Sequence, residues 1–461
     1  MQLVPPRFVP PLDPGYRPAV LANRAFREAV AASGSGVPLV LCVERSDGAL
    51  SRYETQVFAA DHPRAGENLR YAERLAKFLL WQRGGWKLIV GGPPALGAAL
   101  AEIYRPGGAR EFDADLMGEK VYGRPFTVIS CAAEAAPPAQ ERTKALGRHL
   151  DGCRIGFDLG ASDRKCSAVI DGEAVFSEEV PWDPRNFTDP REHFEGINDS
   201  LKRAAAHLPR VDAIGGSSAG VYVDNQVRIA SLFRGVSPED FEAHIRGIFF
   251  SLRAAWQGVP FEVVNDGEVT ALAGSMSLGV NAILGLAMGS SEAVGFVTPD
   301  GNITDWLNEL AFAPVDYNPD GPVDEWSGDV GVGALYFSQQ AVSRLAGPAG
   351  IEVDREQHQA EQLKVVQALM AEGDPRAQRI YQTIGIYLGY TVAHYAEFYE
   401  LEHLLILGRV TSGEGGNIIL AKAHEVLRNE FPELAGISIQ LPDEKARRVG
   451  QSIAAASLPE L

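Results

Sequence analysis

At 461 residues, with 46% apolar and 22% charged residues, the chain can bury full hydrophobic cores in two or three domains, and its composition is neither disordered nor fibrous. A net charge of -18 without any Lys/Arg-rich run disfavours nucleic-acid binding, because a polyanion is repelled at long range and nothing local reverses it. The Pro-rich start lacks the apolar core of a signal peptide and no stretch of about 18 apolar residues occurs, so a cytoplasmic protein without a membrane span is expected.

In chain order, the apolar runs PLVLCVE, WKLIV and PFTVISC, with a helix-period run through NLRYAERLAKFLLWQ, predict a small α/β unit of unassigned role. Gly91-Gly92-Pro93-Pro94 reads as a plain strand-to-helix loop. Residues 132–141, rich in Ala and Pro and without periodicity, read as a linker, which makes residues 1–150 an additional N-terminal α/β region. The cysteines Cys42, Cys131, Cys153 and Cys166 are scattered and no His lies beside them, so neither a redox centre nor a zinc site is expected.

Downstream the sequence repeats itself. An apolar strand, a turn of small residues, a second strand, an Asp-Gly hairpin and a third strand begin near Arg154 and again near Ala282. Gly160 and Gly289, Ser162 and Ser291, and Asp171 and Asp300 are each separated by 129 residues, so turn and hairpin stay in register without a gap. Two related modules are predicted, in residues 151–280 and 281–461. Small-residue turns leave backbone N–H groups unshielded, and a pair of them suits a nucleotide's phosphates. Asp158, at the end of an apolar strand and two residues before the first turn glycine, suits a hydrated magnesium ion better than a core.

These residues carry a resemblance to the ROK family of sugar kinases. Asp158-Leu159-Gly160-Ala161-Ser162 resembles its first phosphate motif and Met288-Gly289-Ser290-Ser291 its second. Ile214 to Gly220, with Ser217 and Ser218, resembles the Gly-rich loop bordering the sugar. The run FEVVND ending at Asn265 and Asp266 resembles the strand with the family's Asn-Asp pair, and Leu405 to Gly413 its adenosine motif. Order and spacing match over residues 154–430.

The resemblance implies duplicated actin/hexokinase-like (ribonuclease H-like) α/β domains with a central cleft, and ATP-dependent phosphorylation of a hydroxyl on a sugar or related polyol. Asp266 would be the general base, Asn265, Glu309, Ser218 and Gly220 would contact substrate, and Gly160, Ala161, Ser162, Lys165, Gly289, Ser290, Ser291, Gly408 and Arg409 would hold the nucleotide. Asp158 would position Mg2+ indirectly. A general base is needed because an unassisted alcohol is a poor nucleophile near neutral pH. A catalytically silent sugar sensor and an ATPase of the same superfamily are the alternatives.

The sequence also departs from the family. Phe312 stands where the family has a zinc-ligand His, and the following loop has no cysteine but carries Asp316, Asp320, Asp324, Glu325 and Asp329 with Tyr317 and Trp326. Carboxylates beside aromatic faces suit a sugar, although such a loop can equally be solvated. Arg409 replaces a family glycine and is able to pair with phosphate, stack on adenine or obstruct the pocket. The tyrosines from Tyr381 to Tyr399 are expected in a core or an interface between copies, which leaves a homodimer open.

Overall fold

The computed structural model describes every residue except Ala145, Ala161 and Asp443, and only the backbone of Lys144 and residues 444–449. Chain contacts group these residues into two compact units, each assembled from three segments. The first contains Met1–Arg142, Ala287–Ala293 and Trp306–Leu441; the second contains Thr143–Leu286, Val294–Asp305 and Pro442–Leu461.

In the first unit the expected N-terminal strands form a four-stranded sheet ordered Leu50–Val57, Val37–Glu44, Lys87–Gly91, Thr127–Cys131. The first two contacts are antiparallel and the last is parallel. Residues 132–141, expected as a linker, lie along this sheet: Leu50 and Gln140 exchange both backbone hydrogen bonds, and Arg52 donates to the carbonyls of Ala136 and Pro137. Pro137 and Pro138 have no N–H to donate to a ladder, and the Arg52 guanidinium satisfies the carbonyl oxygens left there.

The long helix Pro375–Tyr395 begins with the Asp374 side chain accepting from Arg376 N and Pro375 in the first turn. Its tyrosines are buried, as are Phe398 and Tyr399. It packs on the helix Glu414–Glu430 through two glycines one turn apart. A Cβ at Gly385 would meet the Ile419 carbonyl oxygen at 2.7 Å, and one at Gly389 would meet Val426 Cβ at 2.5 Å. Any larger residue would push the helices apart.

The second unit is built on a five-stranded sheet ordered Phe261–Asn265, Ala213–Ser218, Cys153–Leu159, Asp163–Ile170, Glu173–Pro181. The first two contacts are parallel and the last two antiparallel. One core combines Ile155, Phe157, Ile197, Leu201, Phe249 and Phe261. The helix Glu444–Ala456 comes so close to the sheet that a Cβ at Gly156 would lie 1.8 Å from the Ser452 carbonyl oxygen, and one at Gly215 1.7 Å from that of Ala455. These glycines are therefore packing requirements, independent of any ligand.

Candidate active site

In the second unit the sheet register brings three predicted residues together. Asp158 faces Lys165 on one neighbouring strand and Ser217 on the other. Lys165 Nζ lies 3.8 Å from Asp158 Oδ2 and 3.4 Å from Asp163 Oδ1. Burial raises the proton affinity of Asp158, while Ser217 and Lys165 oppose that rise. The turn after it is tight: Gly160 N donates to Asp163 O at 3.0 Å, and a Cβ at Gly160 would also stand 3.0 Å from that oxygen. The Trp182 indole braces the turn by donating to Gly160 O at 2.8 Å. Ser162 is exposed and donates to Asp163 Oδ2. Ala161, expected at the nucleotide, lies outside the described residues.

Asp266 opens the helix Asp266–Leu278 immediately after the strand that ends at Asn265. Asn265 is the cap: its Oδ1 accepts from Gly267 N at 2.7 Å, and its Nδ2 donates to Gly220 O at 2.6 Å. One N–H of that amide is thereby used and the other stays available to a ligand. Gly267 permits the sharp strand-to-helix join, since a Cβ there would lie 2.6 Å from the Val294 carbonyl oxygen. Desolvation, and secondarily the charge of Asp158, push the Asp266 carboxyl up to about 6, while Gly267 N partly offsets this. A carboxylate at that value is ionised at neutral pH and more basic than an ordinary aspartate.

Ser218 is paired with Asn265 across the ladder but is fully buried, and its hydroxyl lies 2.6 Å from that of Tyr222. Tyr222, which the sequence reading missed, also donates to Ala219 O, and its phenol feels the charge of Asp266. Only its place two residues after Gly220 could have drawn attention to it.

The first unit holds the other predicted residues. At the second turn Gly289 N donates to Ser291 O at 3.0 Å, and Gly289 O accepts from Gln339 N at 2.9 Å; Ser290 and Ser291 are exposed. Gly408, at φ 100°, packs on the strand leading into this turn, where a Cβ would stand 2.4 Å from Met288 O. Arg409 is exposed, makes no ion pair among the described residues, and offers its carbonyl oxygen to Gln367 Nε2 at 2.8 Å.

Glu309 is half-buried, and its position is set from the N-terminal region. The backbone N–H groups of Leu307, Asn308 and Glu309 donate to the carbonyl oxygens of Arg83, Gln82 and Trp81, at the end of the helix Asn68–Arg83. Phe312 packs on Trp81 with tilted rings, their centroids 4.5 Å apart, in the place where the resembled family has its histidine. The same helix holds the acidic loop. Asp329 accepts from Arg74 and lies 3.1 Å from Lys77 Nζ and 2.8 Å from Arg110 Nη1. Asp316 accepts from Arg17 N, Asn318 N and the Tyr336 hydroxyl, and Asp324 from Ser327. Asp316, Asp324, Asp329 and Tyr317 are thus buried structural residues, whereas Trp326 is 74% exposed.

No family model and no curated protein matches the sequence. The structure is similar to that of the ROK hexokinase from Thermus thermophilus, at 19% identity and a TM-score of 0.52, over 66% of this chain and 98% of that one. A ROK family transcriptional regulator, a homolog of the E. coli MLC protein, gives 19% identity and a TM-score of 0.50 over 66% of this chain and 78% of that chain. At such identities the likeness establishes the fold: this is an α/β chain of the actin/hexokinase-like type found in ROK proteins. No helix among the described residues is long and apolar enough to cross a membrane.

Proposed function

From the ROK fold we propose that this chain is an ATP-dependent kinase that phosphorylates a hydroxyl of a sugar or related polyol, with Asp266 as the general base. The observation that carries the reading is the Asp266 carboxyl itself, pinned at a helix start by the Asn265 cap and pushed up to about 6 beside Asp158. A structural cap would need neither the desolvation nor the second carboxylate.

Asp266 accepts the proton of the attacking hydroxyl, and the remaining N–H of Asn265 orients the substrate. Glu309 accepts from a further hydroxyl. Gly220 keeps its carbonyl on Asn265 and so fixes the cap, and Ser218 supports it through Tyr222. Gly160, Ser162, Lys165, Gly289, Ser290, Ser291, Gly408 and Arg409 serve the nucleotide. Backbone at the glycine turns and charge at Lys165 and Arg409 suit phosphate oxygens. The hard oxygens of Asp158 fit Mg2+ held through water, an ion that would neutralise charge on the transferring phosphoryl group. Catalysis then consists mainly of alignment and electrostatic stabilisation.

The test is ADP release in a coupled assay across sugars, amino sugars, anhydro sugars and inositols. Turnover is expected only with particular polyols, and Asp266→Asn should lower it by on the order of a hundredfold or more. ADP release indifferent to the polyol would replace this reading with an ATPase, and tight sugar binding without turnover would replace it with a sensor.

A further inference from the structure

Glu292 follows the second turn directly and has no part in the roles above. It begins the strand Glu292–Val297 beside the exposed Ser290 and Ser291, yet is itself only 3% exposed. The Tyr395 hydroxyl donates to its Oε1 at 3.1 Å, while Oε2 has no hydrogen-bond partner among the described residues. That second oxygen lies against Gly333, where a Cβ would stand 2.0 Å from Glu292 Oε2. Were Glu292 ionised, this buried oxygen would carry charge with no donor to meet it; a proton on the carboxyl removes that cost.

Of the groups facing Glu292, the Tyr395 hydroxyl favours its charge and Glu309 opposes it. Tyr395 comes from the long helix and Glu309 from its own turn, with Tyr399 and Tyr16 next to Tyr395; no lysine or arginine is among them. Burial, with Glu309 adding a like charge and the Tyr395 hydrogen bond opposing, pushes the Glu292 carboxyl up to about 8.

We propose that Glu292 is a positioning residue that works as a neutral acid, tying the second turn to the helix Pro375–Tyr395 and keeping negative charge away from the phosphates that the turn binds. This rests on the kinase reading of the turn. The proton has a structural reason, because an ionised Glu292 would place a buried, unpaired charge next to Ser291, where it would repel phosphate. Nucleotide binding should therefore weaken as pH rises through the titration of Glu292, with affinity falling in proportion to the protonated fraction.

The full-length chain is titrated by infrared spectroscopy and, in parallel, by calorimetry with Mg2+ and a non-hydrolysable ATP analogue. A protonated-carboxyl band is expected at pH 7, fading near pH 8 and absent from Glu292→Gln. Dissociation constants for the analogue should rise about tenfold from pH 7 to pH 9 in the wild type and stay level in that variant. Should Glu292→Gln fold poorly, Tyr395→Phe serves instead: losing a hydrogen bond that favours the anion moves the band's fading to higher pH. A wild type without the band at pH 7, or an analogue affinity whose pH dependence survives in Glu292→Gln, overturns the proposal and leaves the kinase reading intact. A band that titrates as described in a chain that binds no nucleotide at any pH overturns the kinase reading and the phosphate role together, while the neutral acid stands.

Discussion

The Gly160–Ser162 and Gly289–Ser291 turns keep their 129-residue spacing but differ in closure and in electrostatic surroundings. The first closes from Gly160 N to Asp163 O, whereas the second closes one residue earlier, from Gly289 N to Ser291 O. Asp158 and Lys165 flank the first; Ala287 and Val294 occupy the equivalent places at the second. Asp163 is half-buried and 3.4 Å from a lysine, while its counterpart Glu292 is buried against a tyrosine. Duplication has thus kept two backbone cradles and concentrated charge at one. On the proposed kinase reading, the first turn would serve ion and phosphate charge, and the second would serve through backbone contacts beside a neutral Glu292.

The sharpest way to break this comparison is to alter the equivalent positions Asp158 and Ala287, removing the charge at the first turn and adding only a hydroxyl at the second. Asp158→Asn should cut polyol-dependent turnover by on the order of a hundredfold or more, as loss of one preorganised electrostatic group does elsewhere. Ala287→Ser should change it by less than about twofold. Equal losses in the same steady-state assay would mean that the turns carry charge alike.

Glycine separates cradle from scaffold at a smaller scale. Gly408→Ala puts a methyl group 2.4 Å from the Met288 carbonyl at φ 100° and should cost about 2 kcal/mol, read as a lower urea midpoint. At Gly289 the new Cβ would be 3.6 Å from Ser291 O, an ordinary contact, so Gly289→Val should leave the midpoint nearly unchanged. It should instead raise the KM for ATP about tenfold by obstructing backbone approach to phosphate. A Gly289→Val chain with unaltered KM would remove the second turn from the nucleotide site.

The twin turns, the strand that ends at Asn265 and the glycine after the later apolar strand were legible because each depends on neighbours in sequence, whereas Asn265 was expected at the substrate and its capping of the next helix was not read. The acidic loop was not. A run such as Asp316 to Asp329 reads as solvated or sugar-binding until Arg74, Lys77 and Arg110 appear beside Asp329, and those lie more than two hundred residues earlier. Glu292 was missed for a similar reason, since a charged residue following exposed serines looks like surface. The hold of Trp81, Gln82 and Arg83 on the Glu309 segment consists of backbone bonds, which no side-chain pattern announces.

The smallest effect concerns what the general base costs the fold. The Asp266 carboxyl, ordinarily near 3.8, is pushed up to about 6 in the folded chain. Between those values the folded state retains a proton that the unfolded state has released, so stability falls as pH rises from about 4 to about 6 and stays lower above it. Turnover requires the ionised form and should run oppositely, disappearing as pH falls through about 6. Asp266→Asn cannot ionise, so it should match the wild type near pH 4 and exceed it at pH 7.5 by on the order of 1 kcal/mol, a figure reduced because the position is only partly buried. Urea unfolding of both chains at the two pH values decides this. A variant no more stable than the wild type at pH 7.5 would mean that the Asp266 carboxylate is comfortable where it sits, and a comfortable carboxylate would lack the raised basicity on which its role as base depends.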